Sequence, residues 1–194
     1  ATVCIQTGTT TELNLADFFK QNNITYTPVT VADDSEAQRN YLAGTCDAFT
    51  TDASGLASAR SSFPDPENHI ILPEIISKEP LGPVVRQGDD QWLNLVKWVH
   101  NALLISEELG VTKANVDEMM KSENPEIKRL LGVEGKFGES LGLSNAWVVQ
   151  IVKALGNYGE VFDRNVGPSS PLKLVRGSNA LWNQGGLQYA PPIR

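Results

Sequence analysis

Residues Val3 to Glu12 read Val-Cys-Ile-Gln-Thr-Gly-Thr-Thr-Thr-Glu. Val3 and Ile5 are strand formers at alternating positions. Gly8 permits a tight turn and lets a ligand approach the backbone closely. Thr9, Thr10 and Thr11 offer hydroxyls that cap a helix, which continues at helical spacing through Leu13, Ala16, Asp17 and Phe19. A helix N-terminus with free N–H groups and neighbouring hydroxyls attracts an anion such as a carboxylate. A well-capped turn between strand and helix, with no ligand, has the same sequence.

The alternation continues outward. The first helix runs over roughly 12–22 and ends at the polar pair Asn22–Asn23. Residues 25–31 are rich in β-branched side chains, and Pro28 within them places this second strand at a sheet edge. A second helix spans 35–43; Asp33, Asp34 and Glu36 suit the positive end of its dipole, and Gly44 follows its end. Residues 47–51 form a short third strand, with Asp52 just beyond it and a further helix over 54–61. His69 to Ile76 reads as a fourth strand broken by Pro73. This rhythm implies a parallel α/β sheet with right-handed crossovers. Ligands of such sheets sit at the carboxyl ends of the strands, near a switch in strand order. With the order 2-1-3, Gly8–Thr10 and Thr51–Asp52 share one rim, and Cys4 and Cys46 lie in neighbouring strands, close enough for a bridge.

Ser77 to Pro83 is rich in Pro and Gly and reads as a linker. Val84 to Arg86 is a candidate short strand. Gly88, Asp89 and Asp90 cap a long helix whose apolar stripe is Trp92, Leu95, Val96, Val99, Leu103 and Leu104, expected to be core. Short helices with glycine breaks follow over 116–121, 125–131, 145–155 and 158–165; Pro125 suits a first helical turn. The last stretch, 179–194, is expected to lie over the surface, anchored by Trp182 and Tyr189.

The net charge of −7 argues against a nucleic-acid partner, whose binders carry a basic face. No apolar run reaches membrane-spanning length, so the chain is not expected to be membrane-embedded. It opens directly in a strand, as expected of a processed or trimmed protein. Neither cysteine sits in a redox or zinc-ligand spacing, and no phosphate-binding, dinucleotide-binding or nucleophile motif is present. No metal site and no cofactor is expected. Free thiols are the ordinary state of two cysteines inside a cell, and a single Cys4–Cys46 disulfide is the sharper alternative.

Two segments together resemble a known family: Ala1 to Phe19 and Cys46-Asp-Ala-Phe-Thr-Thr-Asp-Ala-Ser-Gly-Leu. The runs from Gly156 to Gly167 and from Leu181 to Arg194 match its C-terminus. The resemblance is to the periplasmic general L-amino-acid-binding proteins of polar amino-acid ABC importers, solute-binding protein family 3. It implies a type II periplasmic-binding-protein-like clamp of two lobes. Residues 1–79 match the second, ligand-binding lobe. Residues 80–194 match the C-terminal part of lobe 1 with a helical extension, and the N-terminal part of lobe 1 has no counterpart here. The family's arginine for the ligand α-carboxylate falls in that part. The implied location is the periplasm, an oxidising compartment that suits a Cys4–Cys46 bridge.

The resemblance implies a substrate-binding component for L-amino acids, not an enzyme, that works with permease subunits. Asp52 would accept hydrogen bonds from the α-ammonium, a charge-assisted contact. Thr7, Gly8, Thr9, Thr10 and Thr51 would offer hydroxyls and backbone N–H groups to its polar ends. As the plain alternative, Asp52 only caps the helix that follows it. Arg86 reads as a surface or inter-lobe charge. A small α/β enzyme with Asp52 as general base is a second reading, although no partner histidine stands near it in sequence. A sensory domain on the same fold is a third. A chain lacking part of a lobe is expected to self-associate or to pair with the absent segment.

Overall fold

The computed structural model describes residues 1–194. The chain divides into two compact units, Ala1–Leu81 and Gly82–Arg194.

The first unit is a parallel sheet with helices on both faces. Its elements are β1 (Thr2–Gln6), α1 (Thr10–Gln21), β2 (Thr27–Val31), α2 (Asp34–Leu42), β3 (Ala48–Phe49) and α3 (Ala53–Ser62). The strand order is β2-β1-β3, the order expected from the sequence. Thr2 pairs with Thr27 and Gln6 with Val31 on one side of β1; Val3 pairs with Ala48 and Cys4 with Phe49 on the other. Strand alternation sends neighbouring side chains to opposite faces. Val3 and Ile5 therefore pack with Leu15 and Phe19 of α1, whereas Cys4 packs with Ala37 of α2, Val31 and Cys46. Pro28 lies in β2, an edge strand, where a missing N–H is tolerated.

Cys4 and Cys46 form a disulfide with their Cα atoms 5.6 Å apart, and both are buried. Beside it, Asp47 accepts hydrogen bonds from the Thr2 N–H at 2.7 Å and its hydroxyl at 2.9 Å. The backbone N–H of Asp47 donates to that hydroxyl in return. These contacts lock the entry of β3 to the start of β1.

The fourth strand expected over 69–76 does not form. Pro73 removes a ladder donor. Ile70, Leu72 and Ile75 are 70–82% exposed, so their alternation finds no face to cover. Ile76 alone of these packs on the Val3–Ile5–Leu15 cluster. His69 instead meets Tyr41 and Phe63, with its Nδ1 2.9 Å from the Tyr41 hydroxyl.

The second unit is helical: α4 (Asp90–Glu108), α5 (Val116–Met119), α6 (Pro125–Leu130), α7 (Trp147–Leu155) and α8 (Tyr158–Asn165). The strand expected at 84–86 is absent, and Val84 is 95% exposed. Asp89 caps α4 by accepting from the N–H of Trp92. Only the C-terminal half of α4 is core: Ala102, Leu104, Ile105 and Ser106 are buried, whereas Trp92 is 51% exposed. The expected stripe holds at Val99 and Leu104, which join the core cluster, and fails at Trp92; Leu103 is only half-buried, and the buried Ala102 and Ile105 lie outside it. Leu104, Val111, Val116, Leu130, Val148 and Val152 form the centre of one cluster. A reciprocal capping box between Asn157 and Glu160 starts α8.

The C-terminal stretch is held by the expected Trp182 and by residues that were not expected. Trp182 stacks edge-to-face with Tyr189 and donates its indole N–H to Glu108 of α4 at 3.1 Å, while Leu181, 1% exposed, joins the core. A further anchor is Arg176, whose guanidinium pairs both nitrogens with the Glu107 carboxylate at 2.9 and 3.1 Å. It also lies 5.1 and 5.2 Å from the ring centres of Tyr158 and Phe162.

Candidate functional site

In the first unit, β1 and β3 are neighbouring parallel strands, and each runs into the N-terminus of a helix. Continuing their register past Cys4–Phe49 sets Ile5 beside Thr50 and Gln6 beside Thr51. The Thr7–Thr10 turn and the Thr51–Asp52 turn therefore leave the sheet side by side, about 5 Å apart at the strands. The chain reverses its order of strands at β1, which makes this the crevice where such sheets take ligands.

Asp52 is half-buried and caps α3. Its Oδ2 accepts from the Ser54 hydroxyl and, at 2.9 Å, from the Gly55 N–H. Oδ1 receives neither. Partial burial opposes its ionisation, but the Ser54 hydroxyl and the surrounding backbone N–H groups outweigh burial and hold its carboxyl below the ordinary carboxylate value. Asp52 is thus held as an anion at the start of α3, and its Oδ1 accepts no hydrogen bond from Ser54 or Gly55. Such a group suits an ammonium.

The first turn is more occupied than its sequence implies. Gly8 has a φ of +73°, the left-handed region where glycine is unstrained. The N–H of Gly8 donates to Glu12 Oε2 at 2.7 Å. The Thr9 hydroxyl donates to the Gln6 carbonyl at 2.8 Å and accepts from the Glu12 N–H at 3.2 Å. The N–H of Thr7 donates to Val31. Thr7 and Thr10 are exposed at the rim, and Thr51 is half-buried there. Glu12 was not among the sequence-derived site residues. Its signal was present: Thr9 and Glu12 stand at the spacing of a capping box, in which the glutamate reaches back toward the preceding backbone. Ser54 and Gly55, the groups that fix Asp52, were likewise missed.

No set of His, Cys, Asp or Glu side chains converges as metal ligands. Two hollows of about 220 and 240 Å³ lie in the second unit, lined by residues such as Trp182 and Tyr189 or Trp92 and Leu95. Neither includes a residue of the rim. Arg86 is exposed. No helix is long and apolar enough to cross a membrane.

No family model matches the chain. Known proteins do. The chain is 60% identical over 196 residues to the general L-amino acid-binding periplasmic protein AapJ of Rhizobium johnstonii, covering 100% of this chain and 58% of the relative. It is 60% identical over 195 residues to the glutamate/glutamine/aspartate/asparagine-binding protein BztA of Rhodobacter capsulatus, with coverage of 100% and 58%. Among solved structures, an ABC transporter/periplasmic binding protein from Brucella ovis with glutathione bound matches with a TM-score of 0.95 and 57% identity. That match covers 100% of this chain and 61% of the other. The chain therefore has the α/β fold of a periplasmic binding protein, and it spans about 58% of the length of the curated relatives it matches.

Proposed function

We propose that this chain is the larger part of a periplasmic substrate-binding component of an ABC importer for L-amino acids. The observation that carries the reading is 60% identity, along the entire chain, to a general L-amino acid-binding periplasmic protein. The rim geometry supports it from the chemical side. Asp52 supplies a fixed anion for the α-ammonium, and Thr7, Gly8, Thr9, Thr10 and Thr51 bring polar groups to the same rim. Glutathione carries a free α-ammonium and α-carboxylate on its γ-glutamyl end, so a site that reads this headgroup accepts both ligand types. The named relatives are binding proteins, and nothing in them favours an enzyme with Asp52 as general base.

In this reading residues 1–79 are the ligand-binding lobe, and 80–194 are the C-terminal part of the other lobe with its helical extension. The group that meets the α-carboxylate comes from sequence outside these 194 residues. The chain pairs with that sequence, or with itself, and delivers its ligand to permease subunits in the membrane. The test is a titration of ¹⁵N-labelled chain with L-amino acids and with glutathione, up to tens of millimolar. Shifts confined to the amides of residues 7–10 and 51–55 support the site. Shifts elsewhere, or none at all, overturn it.

A further inference from the structure

The hollow of about 220 Å³ in the second unit is lined by two aromatic rings, two carboxylates and the core residue Leu130. The rings belong to Trp182 and Tyr189, 51% and 68% exposed, with centroids 5.9 Å apart and planes at 75°. A short closed loop holds them. The backbone N–H of Trp182 donates to the Gln188 carbonyl at 2.9 Å, and that of Gly186 donates to the Leu181 carbonyl at 3.0 Å. A Cβ at residue 186 would collide with the Ala180 carbonyl, so only glycine closes this loop. Leu181 and Ala190, the neighbours of the two rings, are buried in the core. Residues 192–194 form another wall, tied to α6 by Arg129 Nε, which donates to the Ile193 carbonyl at 3.1 Å. The rings are thus set in place by the chain itself.

The carboxylates are those of Glu108 in α4 and Glu126 in α6. Glu108 accepts the indole N–H of Trp182 at 3.1 Å, which places a carboxylate at the edge of the larger ring. Neither glutamate belongs to an ion pair, and Arg194, the one cation of the lining, pairs with neither. An aromatic face attracts a cation through its quadrupole, and a carboxylate attracts it through its charge. The apolar lining takes the methylene groups that carry such a charge. An anion is repelled by the same pair, and a neutral ligand leaves it unused.

We propose that this hollow is a second binding site, for an organic cation: an alkylammonium or guanidinium group seated against Trp182 and Tyr189 and drawn by Glu108 and Glu126. The site belongs to the second unit and stands independently of the amino-acid reading of the strand-end rim in the first. Its failure leaves that reading untouched.

The test follows the indole N–H signal of Trp182 in ¹⁵N-labelled chain, titrated with n-butylammonium chloride and, at matched ionic strength, with 1-butanol. Nα-acetyl-lysine methylamide is the third probe. The expected result is a saturable shift with both cations at millimolar concentrations and none with the alcohol. Tighter binding of n-butylammonium names a free amine as the source of the cation, and tighter binding of the lysine derivative names a lysine of a partner chain. Glu108→Gln keeps an acceptor for the indole and removes the charge. Combined with Glu126→Gln, it should weaken cation binding about tenfold. Tyr189→Leu should weaken it about two- to fivefold. Arg194→Gln, which removes the competing cation, should tighten it, and Glu118→Gln, outside the hollow, should change nothing. All five positions are exposed, so folding is not at stake. No saturable shift up to about 100 mM cation, an equal response to 1-butanol, or an affinity unmoved by E108Q/E126Q overturns the proposal. So does an equal loss in E118Q.

Discussion

In the proposed site Asp52 would have two tasks, capping α3 and meeting an ammonium, and the two separate by mutation. Oδ2 holds the start of α3 through Ser54 and Gly55. Asparagine caps a helix about as well as aspartate, so Asp52→Asn is expected to change stability by less than about 0.5 kcal/mol, whereas Asp52→Ala costs about 1 kcal/mol, read from urea unfolding. Both variants lose the anion that faces an ammonium, a loss of about 2–5 kcal/mol in amino-acid binding measured in the protein at its relatives' full length. If D52N binds as the parent does, the carboxylate is a cap and nothing more. The pH dependence has a definite sign. Because the folded carboxyl lies below its ordinary value, its contribution to stability is complete above that value and is lost as pH falls through the folded one. The Asp52 carboxyl carbon, followed by NMR, should titrate below the ordinary aspartate midpoint, and Ser54→Ala should move that midpoint upward. Cys4 and Cys46 are the other decisive residues. The bridge closes a sequence separation of 42 residues, so Cys4→Ala/Cys46→Ala should destabilise the first unit by about 2–4 kcal/mol. Thiol titration of the unfolded, unreduced chain should find no free thiol.

Among the elements, those with both a cap and a periodic apolar face were legible in the sequence. The β1 to α2 run carries its own punctuation: Gly8 at the turn, Asp33 as a cap, and Pro28 marking an edge. Local signals of this kind fix secondary structure because their partners are within a few residues. The failures are positions whose state depends on a distant partner. Residues 69–76 alternate like a strand, yet no neighbouring strand receives them, and Ile70, Leu72 and Ile75 stay in water. Trp182 was legible as an anchor by its size and does hold Glu108, but Leu181 and Arg176, whose partner Glu107 is 69 residues away, were not. The site was half legible for the same reason. Asp52 and the threonines stand at strand ends, whereas the link from Glu12 to Gly8 depends on which backbone N–H the glutamate reaches, and a capping-box spacing does not fix that. The Arg176 pair makes an element-scale prediction. Glu107 is only 13% exposed at its side chain, and Arg176→Ala leaves it without its bidentate partner. The expected cost is about 1.5–3 kcal/mol, the range for hydrogen bonds to charged groups. Limited proteolysis should then cut first within residues 166–194, which Arg176 ties to α4 and α8. An unchanged cleavage pattern would mean that the other contacts, with Leu181 and Ala190 in the core, Trp182 on Glu108 and the Ile193 carbonyl on Arg129, hold this stretch without Arg176.

At the scale of the whole molecule, the decisive fact is how much apolar and backbone surface the two units leave in water. The sheet has three strands, and both edges are open: β2 on one side, and the two-residue β3 on the other. An unpaired parallel edge offers rows of free N–H and C=O groups to another chain. The N-terminal half of α4 adds Trp92 at 51% and Leu93 at 39% exposure, and Val84 just before it is 95% exposed. Surfaces of this kind mark sites where another segment packs. The rim has the complementary deficit. It supplies an anion for an ammonium but, among its site residues, no cationic group for a carboxylate. A ligand resting on it keeps one side in water and one of its two charges without a partner. Loss of a charge-assisted contact alone weakens binding by about 1.5–3 kcal/mol, and loss of burial weakens it further. The chain as it stands should therefore bind L-amino acids only at millimolar concentrations and should associate in solution, through its open edge or the exposed face of α4. Light scattering and calorimetry on one sample decide the matter. A dimer or larger species with weak binding is the expected outcome, and Trp92→Lys should shift it toward monomer if the α4 face is the contact. A monomer that binds an L-amino acid at micromolar affinity would show that one rim is enough, and that the exposed surface serves neither binding nor assembly.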